Sequence, residues 1–281
     1  MLKNRRLLGI SDTLFKKIFA DKDDKSLLTD YVNAICNLNL DPNNVEFLPI
    51  EIKETENERG IRLDVRFQEV NGTKHTHANL EAQTTMPNER TFDNRKFLYA
   101  ASLFKDAFSA GDNYDKEAYS RTIFFILRDP NLKGSPIKKT VMYEEYDKKS
   151  YDQIEIYEIY IENLMSLAFE ELDNYAKMVV EITSVLVENN PEKYKNSSNP
   201  IVRKVVEKMI RMTEEEGKRI SEELRRQYFQ EMDELNQSYV KQGFAKATLE
   251  HVQKLHQKGF EAKQIADLLD LSLEEVEDLL K

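Results

Sequence analysis

Two carboxylates, Asp64 and Glu81, and the amide of Gln83 lie in the stretch of this chain whose residue types and spacing suit cation-assisted chemistry on a phosphate, residues 61–83. Ile61, Leu63, Val65 and Phe67 alternate with Arg62, Asp64, Arg66 and Gln68. Beyond Asn71-Gly72, Thr76, Ala78, Leu80 and Ala82 alternate with His75, His77, Asn79, Glu81 and Gln83. A period of two predicts strands with one apolar and one polar face, and Asn-Gly accepts the positive backbone angles of a two-residue hairpin turn. With Asn71-Gly72 at the corners, Val70 faces Thr73, Asp64 faces Asn79 and Arg62 faces Glu81. The two acids are then diagonal neighbours, roughly 7 Å apart at the backbone. A hard cation such as Mg²⁺ asks for one or two carboxylates and takes its other ligands from water and a phosphate, so it fits that spacing. The same residues also suit plain cross-strand ion pairs on a wet sheet face, Asp64 with Arg62 or Arg66 and Glu81 with Arg62.

The elements that position these residues are legible around them. Ser11-Asp12 provides helix caps ahead of Leu14, Phe15, Ile18 and Phe19 at helical spacing. A second apolar stripe, Leu27, Leu28, Tyr31, Val32, Ile35 and Leu38, predicts another helix with Cys36 at its core edge. Residues 45–53 read as a strand interrupted by Pro49. Residues 91–110 read as a packed helix stopped by Gly111, with Arg95 and Tyr99 four apart on one side. Arg95 there suits a phosphate clamp or a pair with an acid such as Glu89. Residues 118–127 form an apolar central strand, 140–146 and 153–161 extend the sheet, and 163–188 are helical. This order of elements is an α/β arrangement, a central sheet flanked by helices.

The acid in Leu63-Asp64-Val65, the Glu81-Ala82-Gln83 of the next strand and the Arg95/Tyr99 pair resemble the signature of the PD-(D/E)XK nucleases. They resemble most closely the branch of PD-(D/E)XK nuclease family transposases, also called recombination-promoting nucleases. Asp12-Thr-Leu-Phe-Lys16-Lys17-Ile-Phe19 is similar to that family's opening D-x-x-F-K-x-x-F. The resemblance implies a restriction-endonuclease-like α/β core, a mixed sheet flanked by helices, with a helical C-terminal extension. It implies a DNA endonuclease dependent on Mg²⁺ (or Mn²⁺), serving recombination or mobile-element DNA cleavage. Asp64, Glu81 and the main-chain carbonyl of Ala82 would hold the metal, and Asp64, Glu81 and Gln83 would be catalytic. Arg95, Tyr99, Lys16 and Asp12 would contact substrate or support the acids. From the residues alone, Asp12 also suits a cap and Lys16 a solvated lysine. Gln83 departs from the wider superfamily, where lysine is usual; an amide carries no charge, so Lys16, Lys53 or Arg95 must supply it or activity is weak. The alternative is a nuclease fold that no longer cuts and binds DNA or protein, and a third reading is an oligomer built on the helix at 201–258.

Composition bounds these readings. The 281 residues suffice for one large domain with appendages, or for two domains. Cys36 is the single cysteine, which excludes an internal disulfide and suits a reducing compartment. The basic start lacks the apolar core of a signal peptide, and no apolar run reaches membrane-spanning length, so a cytoplasmic location is expected. A net charge of −10 argues against a general polyanion coat. No P-loop, dinucleotide loop or G-x-S-x-G elbow occurs. His75 and His77 alternate on the polar face but lack a third histidine or a cysteine for a transition-metal site.

Three parts are expected: a nuclease-like domain at 1–190, a charged helical arm at 191–258 and a helix-turn-helix-like tail at 259–281. The Pro- and Ser-containing run at 189–200 reads as a linker. In the arm, Ile220, Leu224, Tyr228, Met232, Leu235 and Tyr239 form a narrow stripe fit for packing back on the domain or for a homodimer seam. In the tail, Ser272 and Glu275 form a capping box. Glu274, Glu275, Glu277 and Asp278 set against Lys281 alone argue against a DNA-reading helix there.

Overall fold

Ser11 starts the described chain as a helix cap, its hydroxyl accepting from the Leu14 N–H at 3.1 Å. The computed structural model describes residues 11–52, 61–85, 89–108, 114–128, 135–188, 190–212, 214–257 and 260–280. The chain divides into two compact units, Met1–Leu224 and Arg225–Lys281.

In the first unit, α1 (Asp12–Phe19) buries Leu14, Phe15, Ile18 and Phe19, the stripe its spacing predicts. Helix α2 (Ser26–Cys36) buries its own stripe, with Cys36 at the core edge, and ends on Asn37 in the left-handed region. Strands β1 (Val45–Phe47) and β2 (Glu51–Ile52) flank Pro49, which has no N–H to continue a ladder. Strand β3 (Ile61–Arg62) pairs antiparallel with β2, Arg62 against Glu51. Strands β4 (Val65–Asn71) and β5 (Lys74–Thr85) form the central hairpin, followed by α3 (Glu89–Asp106) and β6 (Glu117–Arg128). Then come β7 (Ile137–Glu144), β8 (Lys149–Tyr160), α4 (Ile161–Met165), α5 (Asn174–Glu188) and α6 (Pro200–Ile210). Helix α7 (Glu214–Gln257) begins in this unit.

The sheet order is β1-β4-β5-β6-β8-β7. Strands β5, β6 and β8 are parallel to one another and the outer pairings are antiparallel. This is the mixed sheet expected of a restriction-endonuclease-like α/β core. Residues alternate between two cores across it. Phe67, Leu80, Phe125 and Ile159 join the larger core with α1, α2, α5 and α6. Phe124, Ile126, Ile156 and Tyr160 join a smaller one beneath α3, with Phe92, Tyr99 and Leu103. The sheet is thus a layer between helices, each face burying every second residue.

The described part of the expected linker, 190–200, is structured. Pro191–Tyr194 is a single 3-10 turn, and α6 buries Val202, Val205, Val206 and Met209 in the larger core. Apolar spacing after Pro200 outweighs the turn-forming residues before it. The first turns of α7 also pack back, since Ile220 and Leu224 belong to that core. The side chains of Tyr228, Met232, Leu235 and Tyr239 lie outside the described residues.

In the second unit, α8 (Ala262–Leu269) and α9 (Leu273–Leu279) follow the end of α7. Val252, Ile265, Ala266 and Val276 form a small core of their own. The capping box is present, the Ser272 hydroxyl accepting from the Glu275 N–H and the Ser272 N–H donating to Glu275 Oε2 at 2.8 Å. Among the described residues no helix is long and apolar enough to cross a membrane.

Candidate active site

The hairpin turn decides how the two acids meet. Asn71 pairs with Lys74, so Gly72 and Thr73 are the corners, with Gly72 at φ +62°. A turn with glycine at the first corner needs a positive φ only there, whereas corners at Asn71-Gly72 would need one at both. The turn therefore sits one residue later than expected. From Val65 onward each residue keeps its face, but the pairing slides by two, so Val65 lies opposite Leu80 and Arg66 opposite Asn79. That carries Asp64 from a diagonal position to one level with Glu81.

The backbone confirms the approach. The Asp64 N–H donates to Glu81 Oε1 at 3.1 Å, and the Ala82 N–H donates to Asp64 Oδ2 at 2.9 Å. The strand breaks at Leu63-Asp64, and this overturns the unbroken alternation read from 61 to 67. Leu63 packs in the core under α3, while Val65 packs in the larger one. Arg62, expected opposite Glu81, instead lies in the β2–β3 ladder.

The polar face is not wet. Helix α3 lies over it, so that His77, Asn79 and Glu81 are 3%, 0% and 1% exposed. Its polar groups must find partners inside the protein. The Asn79 amide donates to Glu81 Oε1 at 3.0 Å. Arg95 from α3 donates to Glu81 Oε2 at 3.0 Å and to Gln83 Oε1 at 2.7 Å. The Arg95 guanidinium stands 5.1 Å from the Tyr99 ring centre, the packing that their spacing of four predicts.

Lys16 approaches from the other side. Its Nζ lies 2.8 Å from Asp12 Oδ1 and 3.8 Å from Asp64 Oδ1. Asp12 is the first residue of α1 and half-exposed, the cap being Ser11. All the residues singled out in sequence and described here, Asp12, Lys16, Asp64, Glu81, Ala82, Gln83, Arg95 and Tyr99, therefore gather at one place. Lys53 lies outside the described residues, as does the side chain of Glu89.

Burial raises the Glu81 carboxyl to about 7, with the neighbouring Asp64 charge adding to the effect; hydrogen bonds and Arg95 oppose it. Burial also raises Asp64, against the Ala82 N–H and Lys16. Two adjacent desolvated acids with upward-shifted pKa values mark a candidate functional site. A hard cation that keeps most of its waters fits this donor set. Among the described residues, no group of three or more His, Cys, Asp or Glu is placed to hold a metal ion.

A model of the family described as PD-(D/E)XK nuclease family transposase matches residues 10–238. The chain belongs to that family. No curated protein and no solved structure matches it significantly. In this PD-(D/E)XK family member the match covers the whole mixed sheet, the gathered residues and most of α7, and stops short of the tail.

Two parts of the setting escaped the sequence. Asn79 braces Glu81 from two residues away on the same face, which strand periodicity could have revealed. The Lys96–Glu158 pair, buried beneath α3 at 2.8 Å with the Tyr160 hydroxyl donating to Glu158 at 2.6 Å, spans 62 residues and has no local signature.

Proposed function

We propose that the protein is a divalent-metal-dependent DNA endonuclease acting on phosphodiester bonds, with Mg²⁺ or Mn²⁺ as its cation and with a role in recombination or mobile-element DNA cleavage. The observation that carries this reading is the placement of half-buried Asp64 beside buried Glu81, the Asp64 N–H 3.1 Å from Glu81 Oε1, between the cations of Lys16 and Arg95.

Asp64 and Glu81 would hold the cation, joined by the Ala82 carbonyl. An extended residue turns its N–H and C=O toward the same edge, and the Ala82 N–H meets Asp64. A divalent cation there supplies a water of lowered pKa and positive charge for the phosphate. The chain does the rest. Arg95, about a third exposed, anchors on Glu81 and keeps donor capacity for a phosphate oxygen. Tyr99 supports it from below. Lys16, about a quarter exposed beside Asp64, carries the charge that Gln83 lacks. The Gln83 amide accepts from Arg95 and so aims the guanidinium rather than moving a proton.

A second reading is favoured by the same arginine. The Arg95 guanidinium already offsets the Glu81 charge, and Gln83 stands where the superfamily has lysine, which suits a fold that binds DNA without cutting it. Plasmid nicking titrated with Mg²⁺ and Mn²⁺ separates the two. The endonuclease reading expects cleavage that falls at least about 100-fold in Asp64→Ala and in Glu81→Ala while folding survives. DNA binding without cleavage, and without calorimetric Mn²⁺ binding that depends on Asp64, would sink it in favour of the binding module.

A further inference from the structure

We propose that Glu223, on the first turns of α7, is a positioning residue for the site: it fixes the start of α1 so that Asp12 and Lys16 stand against Asp64. The inference rests on the endonuclease reading for its consequence in catalysis, and on the contacts below for its geometry.

The buried Ser11 hydroxyl donates to Glu223 Oε2 at 2.8 Å and accepts from the Leu14 N–H at 3.1 Å. The Thr13 N–H donates to Glu223 Oε1 at 3.4 Å. A hydroxyl has one proton, and Glu223 takes it, so the lone pairs of Ser11 are turned to the helix. A carboxylate there also meets the positive end of α1. One heptad earlier on α7, Glu216 pairs with Lys17. Ile220, between them, and Leu224, just beyond Glu223, are 0% and 4% exposed and belong to the same core as Leu14, Phe15 and Ile18. The start of α7 therefore holds α1 by carboxylates one heptad apart, Glu216 on Lys17 and Glu223 on Ser11 and Thr13, with apolar residues of both helices in one core.

The grip matters because of what α1 carries on its other side. Asp12 and Lys16 project one turn apart, and Lys16 spans from Asp12 to Asp64. Each residue of a helix turns it by about 100°, so a small rotation of α1 swings Lys16 off the acid. The apolar face of an eight-residue helix tolerates sliding that the Ser11 and Thr13 bonds to Glu223 forbid. An error of about 1 Å at a reacting group is enough to cost rate.

Two readouts test this. The first is competitive amine labelling followed by mass spectrometry, with the exposed Lys195 as internal reference. Lys16 should label at least about threefold faster in Glu223→Ala than in the parent, and Glu223→Gln, whose single amide oxygen keeps one of the two acceptors, should label at a rate between them. The second is a nicking cycle. Glu223→Ala should slow cleavage about tenfold alone and add little on a Lys16→Met background, because coupled residues are not additive. Unchanged Lys16 labelling in Glu223→Ala overturns the proposal, as does a full tenfold loss on the Lys16→Met background, the mark of a general structural role. If the parent protein does not nick, the endonuclease reading fails by itself and the labelling result still decides the positioning.

Discussion

At the scale of single residues, His77 shows what covering the polar face costs. It lies on the same face of β5 as Glu81, 3% exposed, with Nδ1 buried and unpartnered among the bonds described. Burial, with Arg66, His75 and Lys116 nearby, lowers its pKa from 6.5 to about 4. The folded state thus binds fewer protons than the unfolded state between about 4 and 6.5, and the unfolded state gains as pH falls through that window. Because Glu81, raised to about 7, contributes the opposite slope in this window, the expected outcome is a difference: the change in melting temperature from pH 6.5 to pH 4 should be less unfavourable in His77→Gln than in the parent. Identical pH slopes in the two proteins would remove His77 as the cause. Glu81 shows the complementary effect: the same burial that makes a histidine reluctant to charge raises a carboxyl to about 7, against the hydrogen bonds of Asp64 and Asn79 and the charge of Arg95.

At the scale of elements, α3 connects fold and site. Its underside carries two cations side by side in sequence that diverge across the sheet, Arg95 to Glu81 on β5 and Lys96 to Glu158 on β8. At its end Asp106 pairs with Arg66 of β4. Breaking one partner of a buried pair strands the other charge, which costs about 3–5 kcal/mol, while replacing both with apolar residues is often neutral. Lys96→Met should therefore lower the urea midpoint sharply, and Lys96→Met with Glu158→Met should recover most of the loss. A single variant that costs under about 1 kcal/mol would mean that the pair does not anchor α3. The order of strands and helices was readable from local periodicity, because α1, α2 and β6 each carry their own apolar pattern. The burial under α3 was not, because a polar strand face reads alike whether water or a helix covers it.

At the scale of the whole molecule, a net charge of −10 sets the terms for any encounter with DNA. Counterion release needs clustered cations, and at the site Lys16 and Arg95 are each already committed to acids. On the proposed reading, a divalent cation would then serve binding as well as chemistry. At about 0.1 M salt, fluorescence anisotropy with a DNA duplex should show weak binding in chelator and at least about tenfold tighter binding in millimolar Ca²⁺, which takes oxygen ligands much as Mg²⁺ does. Equal affinity in chelator would place the DNA contact on a basic patch away from Asp64.

What the amino-acid sequence determined by itself was whatever short-range periodicity and residue chemistry encode: the apolar stripes, the caps, the two acids with Gln83, and the Arg95/Tyr99 pair on one helix side. Only the tertiary structure decided the rest. The hairpin register turned on whether Asn71 or Gly72 takes the first corner, a choice between backbone states that one residue pair leaves open. The burial of Glu81 came from α3, and the partners Glu158 and Glu223 came from 62 and 212 residues away. Contacts at such separation leave no spacing in the chain; they exist because the cores on the two sides of the sheet bring distant charged residues to positions where each must be paired.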